Sequence, residues 1–262
     1  MSKRRCLFCD KEEKLTREHI YPSWLFDFIS LKETTFKPGI HGFEVSKSNL
    51  HADKPIEGNF SDGRVINYDD FKYKIICESC NSGWMSTLEQ DVRTIIKDYI
   101  SDENVVLNIS HSQAYLLSQW AIKTILVINK VNNSFEFDIR IPQMIKDGII
   151  PEGFMVEMLS LPFKELNYFI NGPLTRKTFK IQRELLDSIY NNIFISALQI
   201  GHLCFRISYL RTEYPIYRKQ IVKKINVLFP YETKLPFEEI QELEIENKLV
   251  LPIICAQLAI VD

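Results

Sequence analysis

A chain of 262 residues, 45% hydrophobic and 25% charged, has the composition of a soluble globular protein and can bury a sizeable core as one large domain or two modest ones. Its net charge of −2 argues against broad, non-specific gripping of a polyanion, so any nucleic acid must be held by a local patch. No apolar run approaches the roughly 20 residues of a membrane helix, and no apolar segment follows the basic start Met1–Cys6 as in a secretory signal, so a cytoplasmic protein without membrane contact is expected.

The chain opens on a knuckle, Cys6-Leu7-Phe8-Cys9, passes a charged turn over Asp10–Lys14 and enters Thr16-Arg17-Glu18-His19-Ile20. A short helical stretch over Ser23–Phe28 follows, with Pro22 at its start, where proline is well tolerated. Residues 32–74 contain Gly39, Gly42, Gly58 and Gly63, with Pro38 and Pro55, among many polar residues. They read as a long surface insertion with short strands near Arg64–Tyr68 and Tyr73–Ile76. His41 and His51 fall in it and read first as solvated loop residues.

A second knuckle, Cys77-Glu78-Ser79-Cys80, opens a helix in which Trp84, Met85, Leu88, Val92, Ile95, Ile96 and Tyr99 recur at spacings of three and four. A second, largely buried helix is predicted over Ser112–Lys130. From about residue 133 the pattern turns to strands: Phe135–Arg140, Lys177–Gln182, a hairpin of Asn192–Ile200 with His202–Leu210 turning near Gly201, Lys224–Phe229 and Leu249–Leu258. Phe237–Asn247 reads as a charged helix. The fold class predicted is α+β: an N-terminal metal-stapled module over residues 1–100, then a mixed domain with antiparallel strands over residues 101–262.

Four of the six cysteines sit in the two knuckles. In a reducing compartment such pairs bind metal, and four thiolates make a closed tetrahedral zinc site on Cys6, Cys9, Cys77 and Cys80. The long gap between the pairs is tolerable because loop-closure entropy rises slowly with length. A redox dithiol or unrelated buried thiols are the alternatives. Cys204 and Cys255 lie in apolar, strand-like surroundings and read as small buried hydrophobes.

Glu18, His19 and Asn81 supply a different chemistry. A carboxylate and an amide oxygen suit a hard divalent ion, Mg²⁺ or Mn²⁺, and an imidazole that titrates near pH ~6.5 suits a general base. Metal-assisted hydrolysis of a phosphodiester needs both. Taken singly, each residue also has an ordinary structural reading: a surface carboxylate, a hydrogen-bonded histidine, a helix N-cap. Their joint placement between and beside two knuckles favours the site.

The order Cys-x-x-Cys, Glu18-His19-Ile20-x-Pro22, Cys-x-x-Cys-Asn81 resembles the HNH, or His-Me finger, endonucleases, in particular their zinc-containing, endonuclease VII-like branch. Thr16-x-Glu18-His19-Ile20-x-Pro22-x-Trp24, with Cys80-Asn81-x-Gly83-Trp84-Met85 and Leu88-Glu89, also resembles a group of uncharacterised bacterial HNH-like proteins. The resemblance covers residues 1–90. It implies a treble-clef-like ββα-metal module with His19 as general base, Glu18 and Asn81 as ligands of a catalytic divalent ion, and structural zinc on the four cysteines. The substrate implied is nucleic acid, DNA before RNA, and residues 101–262 are left to choose a substrate or protein partner or to mediate self-assembly.

Three features depart from that pattern. Glu18 stands where aspartate is commoner. The middle asparagine has no clear counterpart, Lys72 and Asn67 lying nearest. Neighbours on a regular strand face opposite ways, so Glu18 and His19 share a site only where the strand ends or bends. Two other readings stand beside the nuclease: a zinc-finger module that binds nucleic acid or protein without cleaving it, and a structural zinc domain supporting a C-terminal sensor.

Overall fold

The computed structural model describes residues 5–28, 35–36, 66–67, 72–101, 109–170, 193–211, 216–220, 225–229, 237–239 and 258–260. Helices and mainly antiparallel sheets mix in it as an α+β fold. Strand β1 (Leu15–His19) pairs antiparallel with β4 (Lys72–Cys77). Between them lie a 3-10 turn, Ser23–Asp27, entered through Pro22, and a short ribbon of β2 (Thr35–Phe36) with β3 (Ile66–Asn67). Beyond β4 come a single turn α1 (Glu78–Cys80), a widened π turn (Asn81–Met85) and helix α2 (Ser86–Ser101).

Helix α3 (His111–Asn132) starts at a capping box in which Ser110 and Gln113 satisfy each other's backbone N–H groups. It ends at Asn133, whose φ of 52° is the left-handed conformation that closes a helix. Apolar residues lie all around it, the mark of a helix enclosed by protein. Its buried polar residues are bonded: Ser118 and Thr124 donate to carbonyls one turn back, and Gln119 donates to the Ile145 carbonyl of α4 (Arg140–Lys146). Among the described residues no helix is long and apolar enough to cross a membrane.

The larger sheet has the order β6-β5-β8, from β5 (Phe154–Ile170), β6 (Ile193–Leu210) and β8 (Ile225–Phe229). Phe154 to Leu159 are all buried, and so is nearly all of β6 from Phe194 to Tyr209. Both sheet faces are therefore covered there. Helices α2 and α3 pack against β6, so one apolar core runs from the first knuckle to the sheet. A second sheet, β10-β7-β9, joins β10 (Leu258–Ile260) antiparallel to β7 (Ile216–Gln220), and β7 runs parallel to β9 (Phe237–Glu239).

Three expectations are corrected. Phe135–Arg140 is not a strand: an irregular segment leads to α4, which starts at Arg140. Its alternation is nonetheless used, because Phe135 and Phe137 both pack on Phe194 and Tyr209. The side-chain amide of Asn129 stands in for a neighbouring strand, donating to the Phe135 carbonyl at 2.8 Å and accepting from its N–H at 2.9 Å. The hairpin at Gly201 is instead one strand, bent at a φ of +61°, with both halves paired to β5. Four residues of β5, 161–164, bulge there opposite a single residue of β6, His202. A Cβ on Gly201 would lie 2.3 Å from the Ile100 carbonyl oxygen, so glycine is required where the end of α2 meets the sheet. Phe237–Glu239 is strand, not helix. The strand expected at 177–182, together with His41, His51 and Cys255, lies outside the described residues.

Candidate metal centre and the adjoining polar site

The first knuckle is a tight turn. The Cys6 N–H donates to the Lys11 carbonyl at 3.1 Å, the Asp10 N–H to the Cys6 carbonyl at 3.0 Å, and Asp10 takes the left-handed conformation, φ 55°, that reverses the chain. Leu7 N–H donates to the Ile75 carbonyl at 2.9 Å and docks the turn on β4. The Cys77 N–H donates to Cys6 Sγ at 3.3 Å, tying the second pair to the first. Phe8 meets Trp84 edge-on with ring centroids 5.1 Å apart, which fastens the knuckle to the start of the helix.

The four sulfurs of Cys6, Cys9, Cys77 and Cys80 all lie within 4.8 Å of one another, and Cys9 Sγ is 3.6 Å from Cys77 Sγ. A tetrahedron with metal–sulfur bonds of about 2.3 Å has edges of roughly 3.8 Å, so the donor set fits a metal ion such as zinc. Burial pushes the Cys9 and Cys80 thiols above their ordinary value. Burial also opposes ionisation of Cys77, but hydrogen bonds from Ser79 and the Cys80 backbone bring that thiol below it. Four thiolates this close repel one another, and a doubly charged cation at their centre reverses the repulsion. Cys204 on β6 is fully buried, and burial raises its thiol as well, as befits an inert core residue.

The β1–β4 ribbon carries the second group. Register runs Leu15 to Cys77 and Thr16 to Ile76, then shifts to Glu18 opposite Tyr73 and His19 opposite Lys72. The extra residue of this bulge belongs to β4, so β1 keeps its alternation and Thr16 and Glu18 face the same side. Asn81 reaches that side from the π turn. Its amide nitrogen donates to Thr16 Oγ1 at 3.3 Å and lies close enough to the Glu18 carboxyl to favour its ionised form. A half-turn about one side-chain bond would present the amide oxygen instead, so Glu18 and Asn81 can together offer two oxygens to a hard cation.

His19 is the last residue of β1, half-buried, with Nε2 shielded from solvent. The chain bends only at Ile20 and Tyr21, after it, so within β1 His19 faces the side opposite to Glu18, and the two are not brought together as Glu18 and Asn81 are. Two charged residues that the sequence reading did not place in the site lie within electrostatic reach of Glu18. Burial pushes the Glu18 carboxyl above its ordinary range, the positive charge of Lys123 on α3 draws it back, Glu89 on α2 raises it again and Asn81 lowers it. Lys123 Nζ lies 2.7 Å from Glu89 Oε1, with the lysine side chain 2% exposed and the glutamate 16%. The available signal was Lys123 itself, the single charged residue between Ala114 and Asn129.

On the other flank of the knuckle a cavity of about 840 Å³ is lined by Arg5, Lys74 and Lys130 as its cations, by Asp10 and Glu136, and by Phe135 and Phe137. Arg5 is held by Asp10 through a 3.0 Å ion pair. Compared with known proteins, the chain matches no family model, and no curated protein or solved structure matches it.

Proposed function

We propose that the chain is a metal-dependent endonuclease of the HNH type, hydrolysing phosphodiester bonds of nucleic acid, DNA before RNA. The observation that carries the proposal is the meeting of Asn81 with Glu18 and Thr16 immediately beside the four-cysteine cluster, across a sequence separation of 65 residues between Asn81 and Thr16. Knuckle, β1, β4 and the helix behind the second cysteine pair follow one another in the order of a treble-clef ββα-metal module. Zinc on the cysteines is the structural metal of this reading, and Glu18 with Asn81 holds Mg²⁺ or Mn²⁺.

The divalent ion supplies positive charge against the phosphate. His19 accepts the proton of the attacking water, Glu18 and Asn81 orient the site, and the cysteine cluster keeps Asn81 in reach of β1. Arg5, Lys74 and Lys130, set against Asp10 and Glu136 in the cavity on the knuckle's other flank, leave a small excess of positive charge there for nucleic acid beyond the cleavage site. No disulfide joins the described cysteines, which suits a cytoplasmic setting. The non-catalytic binding module is the second reading, and the shielding of His19 Nε2 favours it, since a general base must reach water or substrate.

The test is cleavage of plasmid and short DNA and RNA duplexes with Mg²⁺ or Mn²⁺, wild type beside a zinc-loaded His19→Ala. The expected result is ion-dependent cleavage that falls by about 10² or more in the variant. Cleavage that survives the substitution removes His19 from the mechanism. No cleavage of any substrate by the wild type leaves the binding module.

A further inference from the structure

We infer that the cavity on the far flank of the first knuckle is a nucleotide-binding subsite, taking a phosphate on Lys74 and Lys130 and a flat base against the apolar floor that holds Phe135 and Phe137. It rests on the reading of nucleic acid as the ligand and deepens it by naming where one unit of the strand sits. It needs neither Glu18 nor His19.

The cavity, about 840 Å³, falls within the roughly 300–1,000 Å³ typical of small-ligand sites. One wall is the knuckle with β1 and β4, and the other is the end of α3 with the irregular segment that leads to α4. Its charges are unequally committed. Arg5 is spent on Asp10, through an ion pair at 3.0 Å and a hydrogen bond from Nε to the Asp10 carbonyl at 2.7 Å. That leaves Lys74 and Lys130 against Glu136, all three exposed and none in an ion pair among the described residues. The two ammonium groups come from different elements, β4 and α3, and line one space, so an anion bound there lies in the field of both.

The floor is apolar and rigid. Leu126 and Pro142 are buried, and Phe135 and Phe137 are half-buried with ring centroids 4.8 Å apart. Phe194 and Tyr209 back both rings, and Asn129 holds the Phe135 backbone, so the surface is already shaped to receive a flat ring. Arg211 occupies one face of Phe135 and Phe154 stacks on Phe137, so a base meets the floor on the sides these two leave uncovered. An acidic peptide would use the lysines and leave the aromatic floor idle. An apolar peptide would bury the lysines without a partner. A nucleotide brings an anion and a flat ring on one body, which is the combination the cavity offers.

The experiment measures fluorescence anisotropy of a labelled short single-stranded DNA with the zinc-loaded full chain, across a salt series. No Mg²⁺ or Mn²⁺ is added, so binding is read apart from cleavage. Lys74→Gln with Lys130→Gln, both at exposed positions, is expected to bind about tenfold more weakly and to lower the salt slope by about one, as one or two lost phosphate contacts require. Glu136→Gln is expected to bind about threefold more tightly. A strand carrying 5-iodouracil is expected to cross-link on irradiation to the peptide that contains Phe135 and Phe137. Binding by the double variant within about twofold of wild type at an unchanged slope overturns the inference, as do cross-links confined to other peptides. Free dAMP is the second probe. Held as tightly as the strand and lost with the two lysines, it assigns the subsite to a free nucleotide; held more weakly, it assigns the subsite to a strand. A wild type that binds neither probe overturns both. Cleavage with Mg²⁺, followed in parallel, separates this inference from the nuclease reading. A wild type that cleaves nothing yet loses strand binding with the two lysines defeats the nuclease and keeps the subsite, whereas a double variant that binds and cleaves as wild type does defeats the subsite alone.

Discussion

Among the described residues, charged side chains are buried in two places that are built differently. On the sheet, Glu157 and Arg206 face each other at one register position, 1% and 2% exposed, and the guanidinium bonds the carboxylate with two nitrogens, Nη2 at 2.8 Å. Charge and geometry match one to one. Between α2 and α3, Lys123 meets Glu89 at 2.7 Å through one nitrogen, and the glutamate, 16% exposed, stays partly open to solvent. The pair on the sheet is bonded through two nitrogens and shut away from solvent. Burial of one partner does not fix what an ion pair contributes; the geometry of the contact and the other partner's route to solvent do.

The largest expected effect belongs to the cysteine cluster rather than to either ion pair. Elemental analysis should find one zinc per chain, and stripping metal from the cysteines, or Cys77→Ser, should abolish it. It should also remove stability on the order of 10 kcal/mol from the N-terminal ribbon, read as loss of its cooperative melt. The next tests the sealed pair. Arg206→Met leaves Glu157 buried and should cost about 3–5 kcal/mol in chemical denaturation, whereas Glu157→Leu with Arg206→Met should lie within about 1 kcal/mol of wild type. Lys123→Met should cost less than Arg206→Met, about 1–3 kcal/mol, because Glu89 can turn to water. Equal losses from the two substitutions would erase the distinction between the sites.

The smallest effect belongs to an exposed control, Asp138, which accepts bonds from the Arg140 backbone and guanidinium at the start of α4. Hydrogen bonds to the Arg140 side chain hold its carboxyl down at about 2. A depressed carboxylate lends stability that is present above the unfolded value near ~4 and is lost as pH falls through about 2. Titration of Asp138 followed by NMR should show that low midpoint. Asp138→Asn should change the melting temperature barely at all, in contrast to either buried set.

How far the sequence could be read follows from the range over which its information acts. Two Cys-x-x-Cys turns are local devices, since two residues between thiols suffice to aim both at one ion, and the sulfurs cluster as that spacing predicts. Helices α2 and α3 were legible for the same reason: Leu88, Val92, Ile96 and Ile100 recur every fourth residue along one face. Glu18 and Asn81 stood out because each adjoins such a device or the histidine beside it.

What escaped the sequence is relational. Phe135 and Phe137 alternate as in a strand, yet a side chain, Asn129, satisfies the backbone where a strand partner was expected. Gly201 turns no hairpin, because the bulge at 161–164 of β5 lets one long strand bend past Ile100. Lys123 and Glu89 lie 34 residues apart, and Glu157 and Arg206 lie 49 apart. Neither pairing leaves a periodic trace. The sequence by itself determined the thiol set and the helical faces, because turn geometry and helical period act over a few neighbouring residues. Only the tertiary structure decided which carboxylate met which cation, because the packing of α2, α3 and the two ribbons sets those distances.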